Sequence, residues 1–387
     1  MTARGYGGPL RYVQGPGVTD DIGLYIAPLA QSALIVIDGF FWETLRPKVE
    51  ANLTAHGVKS HFVKFSGESS DNEVSRTVTE GKTAQAGVVI GIGGGKALDT
   101  AKISALHLGA RTVTVPTIAS TDSPTSSLGV IYSEEGVYDR VVRCGRNPDV
   151  VLVDSALIIK APVRFLVAGM GDALSTWYEA RSNFESRSNN YIGEGYATTA
   201  AGAAIARRCH EVLMRDGRAA YVAARDGKLT PAVENIIEAN TLLSGLGFEN
   251  CGVSGAHGIH DALTVLEPTH HFFHGEKVAF GIIGLLVLEN RSLTEIHEAI
   301  DFCQGINLPT TLSDLGLENV TTAQLLKVGE IALDVRSVIH SVPVTLTPQL
   351  IADSIWTASA LATQRKNEAS QSTSHADLNP SNWTIFG

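Results

Sequence analysis

The stretch Ala86-Gly-Val-Val-Ile-Gly-Ile-Gly-Gly-Gly-Lys96-Ala-Leu-Asp-Thr-Ala-Lys102 decides the fold. Its first seven residues are an apolar run of strand length, and Lys96 opens a helical pattern. Between them lies the turn Gly91-Ile-Gly93-Gly94-Gly95. A glycine-rich strand-to-helix turn lets the backbone approach a pyrophosphate, and the helix N-terminus contributes N–H groups and a positive dipole end. The turn is not a P-loop: Ile90 stands where that motif needs Gly, and Ala97 where it needs Ser or Thr. It does not complete GxGxxG either, because Lys96 takes the place of the last glycine. A purely structural βα turn is the alternative, and the strand–turn–helix context favours phosphate binding.

Strand candidates surround this unit at Ala33–Asp38, Val58–Phe65, Arg111–Val115 and Val150–Asp154, with helix-like segments near 42–55, 72–84 and 95–107. Continuous apolar strands separated by helices read as parallel βαβ units covered on both faces. Glu134-Glu135-Gly136, between two short apolar runs, reads as an inserted hairpin. From Pro162, placed for the first turn of a helix, the pattern becomes helical: 197–225, Ala232–Leu246 and Val278–Leu288 are the clearest pieces. The expected fold class is therefore α/β plus all-α. Residues 1–161 form a Rossmann-like parallel-sheet domain and residues 162–387 an all-helical domain, with the site expected in the cleft between them. From Gln364 the chain is polar until Trp383, Ile385 and Phe386, which predicts a loosely ordered tail or one docked on a neighbouring subunit.

Composition narrows the function. A chain of 387 residues exceeds one ordinary core, and 44% hydrophobic with 18% charged residues describes a globular protein. A net charge of −10 with no Lys/Arg cluster argues against a nucleic-acid partner and for a small molecule. The N-terminus lacks the apolar stretch of a secretory signal, and the longest apolar run, Val278–Leu288, is too short to span a membrane. The cysteines, Cys144, Cys209, Cys251 and Cys303, form no CxxC pair. Neither a disulfide framework nor a cysteine zinc site is indicated, and a reducing cytoplasm is the expected location.

Asp38 ends the first strand candidate. A carboxylate there can accept hydrogen bonds from an adenosine ribose and repel a 2′-phosphate, favouring NAD over NADP; a turn-forming Asp-Gly is the alternative. Five of the twelve histidines fall within 18 residues: His257, His260, His270, His271 and His274. That density points to a metal. The best third ligand is Asp172, near the start of a helix, whose buried charge would need a cation. Two imidazoles and a carboxylate make a catalytic-type zinc site with an open position, although iron or another divalent ion would accept the same donors.

These residues carry a resemblance. IGGGKALDTAK, PTIASTDSPTSSLGVIY, GMGDALSTWYEAR, IIEANTLLSGLGFEN, and AHGIH followed by HHFFHGEKVAFG resemble the motifs of glycerol dehydrogenases, within the iron-containing alcohol dehydrogenase superfamily. The similarity runs in order from about residue 6 to about residue 363. It implies a dehydroquinate-synthase-like fold, a homo-oligomer (plausibly an octamer), and zinc on Asp172, His257 and His274. It also implies NAD contacts from Asp38, from Gly94, Gly95, Lys96, Ala97 and Leu98, from Thr117, Ile118, Ala119 and Ser120, and from Ser126, Leu128 and Tyr132. Asp122 corresponds to the substrate-binding aspartate. Iron-type members carry a histidine where this chain has Thr176, which favours the three-ligand zinc site.

The reaction so implied is oxidation of glycerol or a related vicinal diol to a hydroxyketone, dihydroxyacetone in the case of glycerol, by hydride transfer from C2 of a zinc-bound alkoxide to NAD. Asp122 would orient a second hydroxyl. His260, His270 and His271 are candidates for a relay or for orienting the ligands, and Lys96 and Lys277 for cofactor or structural cations. The rivals are a glycerol-1-phosphate dehydrogenase, a dehydroquinate-synthase-like lyase and a non-enzymatic binding protein. The first two would call for basic residues in 117–132 and 245–274, which contain none.

Overall fold

The computed structural model describes residues 2–193 and 195–376. They fall into two compact units, Met1–Val253 and Ser254–Gly387. The first carries the strands β1 (Arg11–Gly15), β2 (Ser32–Ile37), β3 (Lys59–Lys64), β4 (Val88–Gly93), β5 (Arg111–Pro116), β6 (Leu128–Tyr132), β7 (Tyr138–Arg143) and β8 (Val150–Asp154). Six of them form one sheet in the order β1-β8-β5-β4-β2-β3, every pair parallel. β6 and β7 form a separate antiparallel hairpin about Glu134–Gly136. Strand β1 lies outside the sequence reading, because its RYVQG has one β-branched residue; pairing with β8 makes it a strand.

The helices α1 (Ile22–Ile26), α2 (Arg46–Ala55), α3 (Asp71–Thr83) and α4 (Gly95–Leu108) accompany the sheet. Alternate strand residues divide between two cores. Ile35, Ile37, Ile90, Ile92, Val113, Val115 and Leu152 pack with Ile22, Ile26, Val49 and Leu53 of α1 and α2. Leu34, Val36 and Val89 pack on the other face against Ala97, Ala101 and Ala105 of α4. Burial on both faces is why the central strands are apolar without alternation, each large side chain contributing about 1.5–3 kcal/mol. The alanines recur every fourth residue, so α4 lies close to β4. A Cβ on Gly91 would come within 2.8 Å of Ala101 Cβ.

After β8 no β-strand occurs among the described residues. The first unit continues with α5 (Ser155–Ile158), α6 (Val163–Ser186), α7 (Ala200–Arg225), α8 (Pro231–Glu238) and α9 (Ser244–Cys251). The single helix expected over Ala232–Leu246 is instead α8 and α9 joined through a π-helical turn, Ala239–Leu243. Asn240 in that turn is buried, and its Nδ2 donates to Ala119 O (2.9 Å) and Leu166 O (3.0 Å). Helix α6 meets the 117–120 segment at Gly169, where an added Cβ would lie 1.9 Å from Ala119 O.

The second unit contains α10 (Gly255–Leu263), α11 (His274–Leu288), α12 (Leu293–Gly305), α13 (Thr322–Ala332) and α14 (Pro348–Ala376). Helix α11 includes the apolar run Val278–Leu288 and packs against α10, α12 and α14. It approaches α10 at Gly281, where a Cβ would come within 2.3 Å of Ala256 O. The segment from Gln364, read as a tail, continues α14 as far as Ala376. Arg365 pairs with Asp301 (2.7 Å) and Lys366 with Asp314 (2.6 Å), which anchors it. Trp383, Ile385 and Phe386 lie outside the described residues. Among the described residues no helix is long and apolar enough to cross a membrane, and the four cysteines are buried without a disulfide.

The Gly169 contact is with backbone, which cannot rotate away. Gly169→Ala should therefore destabilise the protein by about 1–3 kcal/mol through overpacking. Gly15→Ala, whose Cβ would meet only Val18 Cγ1 at 3.6 Å, should change stability little. Denaturant unfolding midpoints of the two variants check the contrast.

Candidate active site

In the sheet, β2 has β3 on one side and β4 on the other, so the chain reverses direction across the sheet between β3 and β4. In open parallel sheets, ligands bind beyond the strands' C-terminal ends at such a reversal. Here those ends are Asp38 and the turn Gly93–Gly95. The Asp38 N–H donates to Ile92 O at 2.9 Å, and a Cβ on Gly93 would lie 3.2 Å from Asp38 Cβ. The Asp38 carboxylate accepts from Phe40 N–H at 2.9 Å and is half-buried. In the turn, the N–H groups of Ala97 and Leu98 return to Gly94 O. Those of Gly95 and Lys96 come too early in α4 for an intrahelical acceptor. The side chains of Ala97, Leu98, Thr117 and Ala119 are buried, so any cofactor contact they make is through backbone.

Lys96 is held at the rim by Glu68 (Nζ–Oε1 2.6 Å), with its ammonium 4.8 Å from the centroid of the Tyr132 ring. The 117–128 segment follows β5 and returns to the turn: Thr117 N–H donates to Gly93 O (3.0 Å), and Gly95 lies beneath Thr121. Its further course depends on two charged residues of α4 that the sequence reading quoted in a motif without giving them a role. Lys102, 2% exposed, donates to Ser123 O (2.9 Å) and to Leu128 O, and pairs with Asp99 (2.9 Å). Asp99 accepts from Ser123 Oγ (2.6 Å) and Val130 N–H (3.1 Å). Ser126 Oγ is enclosed in this network, within 3.5 Å of Lys102 Nζ. The available signal was the i, i+3 spacing of opposite charges inside an apolar helix.

Asp122 and Asp172 are adjacent: the Asp122 N–H donates to Asp172 Oδ2 at 3.2 Å. Asp172 is 2% exposed and lies well inside α6, which begins at Val163, so the position near a helix start expected for it is corrected. The helix dipole acts on the first turn only, so another charge must compensate a carboxylate buried there. Asp172, buried in the first unit, and His257 and His274, both in the second, are the three donors expected for the cation. His257 Nε2 and His274 Nε2 are 3.3 Å apart. Two nitrogens about 2.0–2.1 Å from one tetrahedral cation would be about 3.3–3.4 Å apart, so the donor set fits a zinc-like ion.

His260 joins this group, its ring centroid 4.5 Å from that of His274 and its Nδ1 2.8 Å from Asp261 Oδ1. Burial, then the nearby His274, lowers its pKa to about 4, so it is neutral at pH 7. His270 and His271 are exposed, and His270 bonds the Thr264 carbonyl at 2.8 Å. Ring contacts connect the other three histidines of the sequence cluster, His257, His260 and His274. Lys277, half-buried with its pKa lowered by desolvation, faces Asp261 and Glu276.

The sheet, turn and donor set are those of a nucleotide-dependent oxidoreductase. Residues 9–155 match the family described as iron-containing alcohol dehydrogenase, and the chain belongs to that family. It stands with the glycerol dehydrogenases. It is 43% identical over 356 residues to the glycerol dehydrogenase of Citrobacter freundii, covering 92% of this chain and 97% of that one. It is 42% identical over 350 residues to the glycolaldehyde reductase of Halobacterium salinarum, covering 90% and 95%. The crystal structure of a probable glycerol dehydrogenase from Sinorhizobium meliloti 1021 superposes with a TM-score of 0.89 at 50% identity, covering 94% of this chain and 99% of that one.

Replacing Lys102 with Met should leave Asp99 as an uncompensated buried charge and cost about 3–5 kcal/mol of stability. Lys96→Met, at the exposed rim, should cost less than about 1 kcal/mol. Equilibrium unfolding of both variants decides this.

Proposed function

We propose that this chain oxidises glycerol or a related vicinal diol to the hydroxyketone with NAD, using a divalent cation, zinc by preference, held by Asp172, His257 and His274. The observation that carries the reading is the 3.3 Å spacing of the two imidazole nitrogens, His257 Nε2 and His274 Nε2. The family relationship supports it: the compared relatives are named for glycerol, a polyol, and for glycolaldehyde, a hydroxy-carbonyl, and each name implies hydride transfer between a carbinol and its own carbonyl partner. A bound divalent cation supplies acidity, lowering the pKa of coordinated water from about 15.7 to about 7, and an alcohol should respond similarly.

The chain's own residues would do the rest. The N-terminus of α4 receives the pyrophosphate through the backbone N–H groups of Gly95 and Lys96, with Gly94, Ala97 and Leu98 shaping the turn. Asp38 accepts from the adenosine ribose and disfavours a 2′-phosphate. The remaining cofactor contacts, Thr117–Ser120, Ser126, Leu128 and Tyr132, line the segment that Lys102 and Asn240 hold in place. Asp122 accepts from a substrate hydroxyl, and the absence of Arg and Lys in 117–132 and 245–274 disfavours a phosphorylated substrate. Residues 1–161 act as the dinucleotide domain and 162–387 as the metal and substrate domain, in a cytoplasmic homo-oligomer.

NADH formation with glycerol, propane-1,2-diol and butane-2,3-diol tests the reaction. Metal-stripped protein should be inactive and zinc should restore it. His274→Ala should abolish zinc stoichiometry and turnover, while His271→Ala should leave both unchanged. No NADH from any diol, with zinc and NAD both bound, would refute the reading. For the cofactor, Asp38→Ala should improve kcat/KM with NADP relative to NAD by about tenfold, a change of about 1.4 kcal/mol. Initial rates with each cofactor measure it.

A further inference from the structure

A buried hydroxyl chain runs from α6 through α9 to the loop aspartate. Ser244 Oγ lies 2.8 Å from Asp122 Oδ2 and 3.0 Å from Thr176 Oγ1. Ser244 is fully buried and Thr176 is 1% exposed. A serine hydroxyl has one proton, and an ionised carboxylate only accepts. Ser244 therefore donates to Asp122, which leaves Thr176 as the donor to Ser244. The direction of the chain follows from this proton count.

We infer that Ser244, backed by Thr176, is a positioning residue for Asp122 and thereby sets the preference for hydroxyl-rich substrates. The inference rests on the proposed role of Asp122 as the substrate-binding carboxylate. A donor fixed on one oxygen sets the plane of the carboxylate, which otherwise rotates freely about its last bond. The Asp122 backbone is fixed as well, through its N–H on Asp172. A substrate hydroxyl thus meets an acceptor already oriented, and the ordering cost is met in the fold rather than on binding.

The surroundings are shaped for this chain. Ser244 follows directly on the π-helical turn Ala239–Leu243, and such turns concentrate at functional sites. Side chains are cut back on both sides of it. A Cβ on Gly245 would lie 1.9 Å from Thr125 Oγ1 and 2.8 Å from Asp122 O, and one on Gly247 would lie 2.3 Å from Thr176 Cγ2. With both hydroxyls buried, water has no access to replace them.

The test is a double-mutant cycle on the zinc-loaded enzyme with NAD, using wild type, Ser244→Ala, Asp122→Asn and the double variant. Glycerol and propan-2-ol, which lacks a second hydroxyl, are the substrates. Ser244→Ala should lower kcat/KM for glycerol about tenfold or more, mainly through KM, the usual order for a lost bond to a charged group. Its effect on propan-2-ol should be much smaller. The double variant should be no worse than Asp122→Asn alone. Thr176→Val, close in shape, should shift glycerol in the same direction by less, and it carries the comparison if Ser244→Ala does not fold. Additive losses in the cycle, or a wild-type KM in the variants, would overturn the inference while leaving diol oxidation standing. A wild type that oxidises no diol would remove the function reading and this inference with it.

Discussion

A loop buried among helices must find a partner for each of its backbone groups, and that constraint organises the first unit. Residues 117–128 satisfy it at many points along their length. Thr117 N–H is taken by Gly93, Ala119 O by Asn240, Asp122 N–H by Asp172, and Ser123 O and Leu128 O by Lys102. Thr114 Oγ1 supplies Pro124 O, Asn147 supplies Thr125 O, and Glu249 accepts from Ser127 N–H. An unmade bond in such a place costs about 1–3 kcal/mol, so the loop has one stable course. That course brings the turn Gly93–Gly95 and Asp122 to fixed positions.

Charge is managed by the same means. Lys102 is buried, yet it meets Asp99 and two carbonyls, so it is compensated from several directions. Glu249, buried and with its pKa raised by desolvation, keeps donors from Ser127 and Asn147. Breaking one partner of a buried pair costs more than the pair contributes. The charged residues inside these helices thus act chiefly as constraints on where the loop goes. Asp172 belongs with them: its carboxylate is oriented by the Asp122 N–H before any cation is considered.

The close approaches are backbone matters. Gly91 admits α4 to the sheet, Gly169 admits the loop to α6, and Gly245 admits it to α9. At each of these positions a methyl group would meet another atom at 2.8 Å or less. The glycine turn, the loop and the helix bearing Asp172 can approach one another only because these positions lack a side chain.

Much of this was legible in the chain itself. The apolar β-branched runs determined five of the six strands of the parallel sheet, because strands buried on both faces need little alternation. The glycine turn at 91–95 and the density of histidines at 257–274 were also visible in the chain as motifs. Strand β1 was not legible, because it owes its existence to pairing with β8 rather than to its own residues. The π-helical turn was not legible either, since Ala239–Leu243 has the composition of ordinary helix. Only the tertiary structure separated His260 from His270 and His271, and only it gave Lys102, Asn240 and Ser244 their partners. Sequence periodicity reports which face of an element is buried, but a hydrogen bond between residues more than a hundred positions apart is set by how the chain folds back on itself.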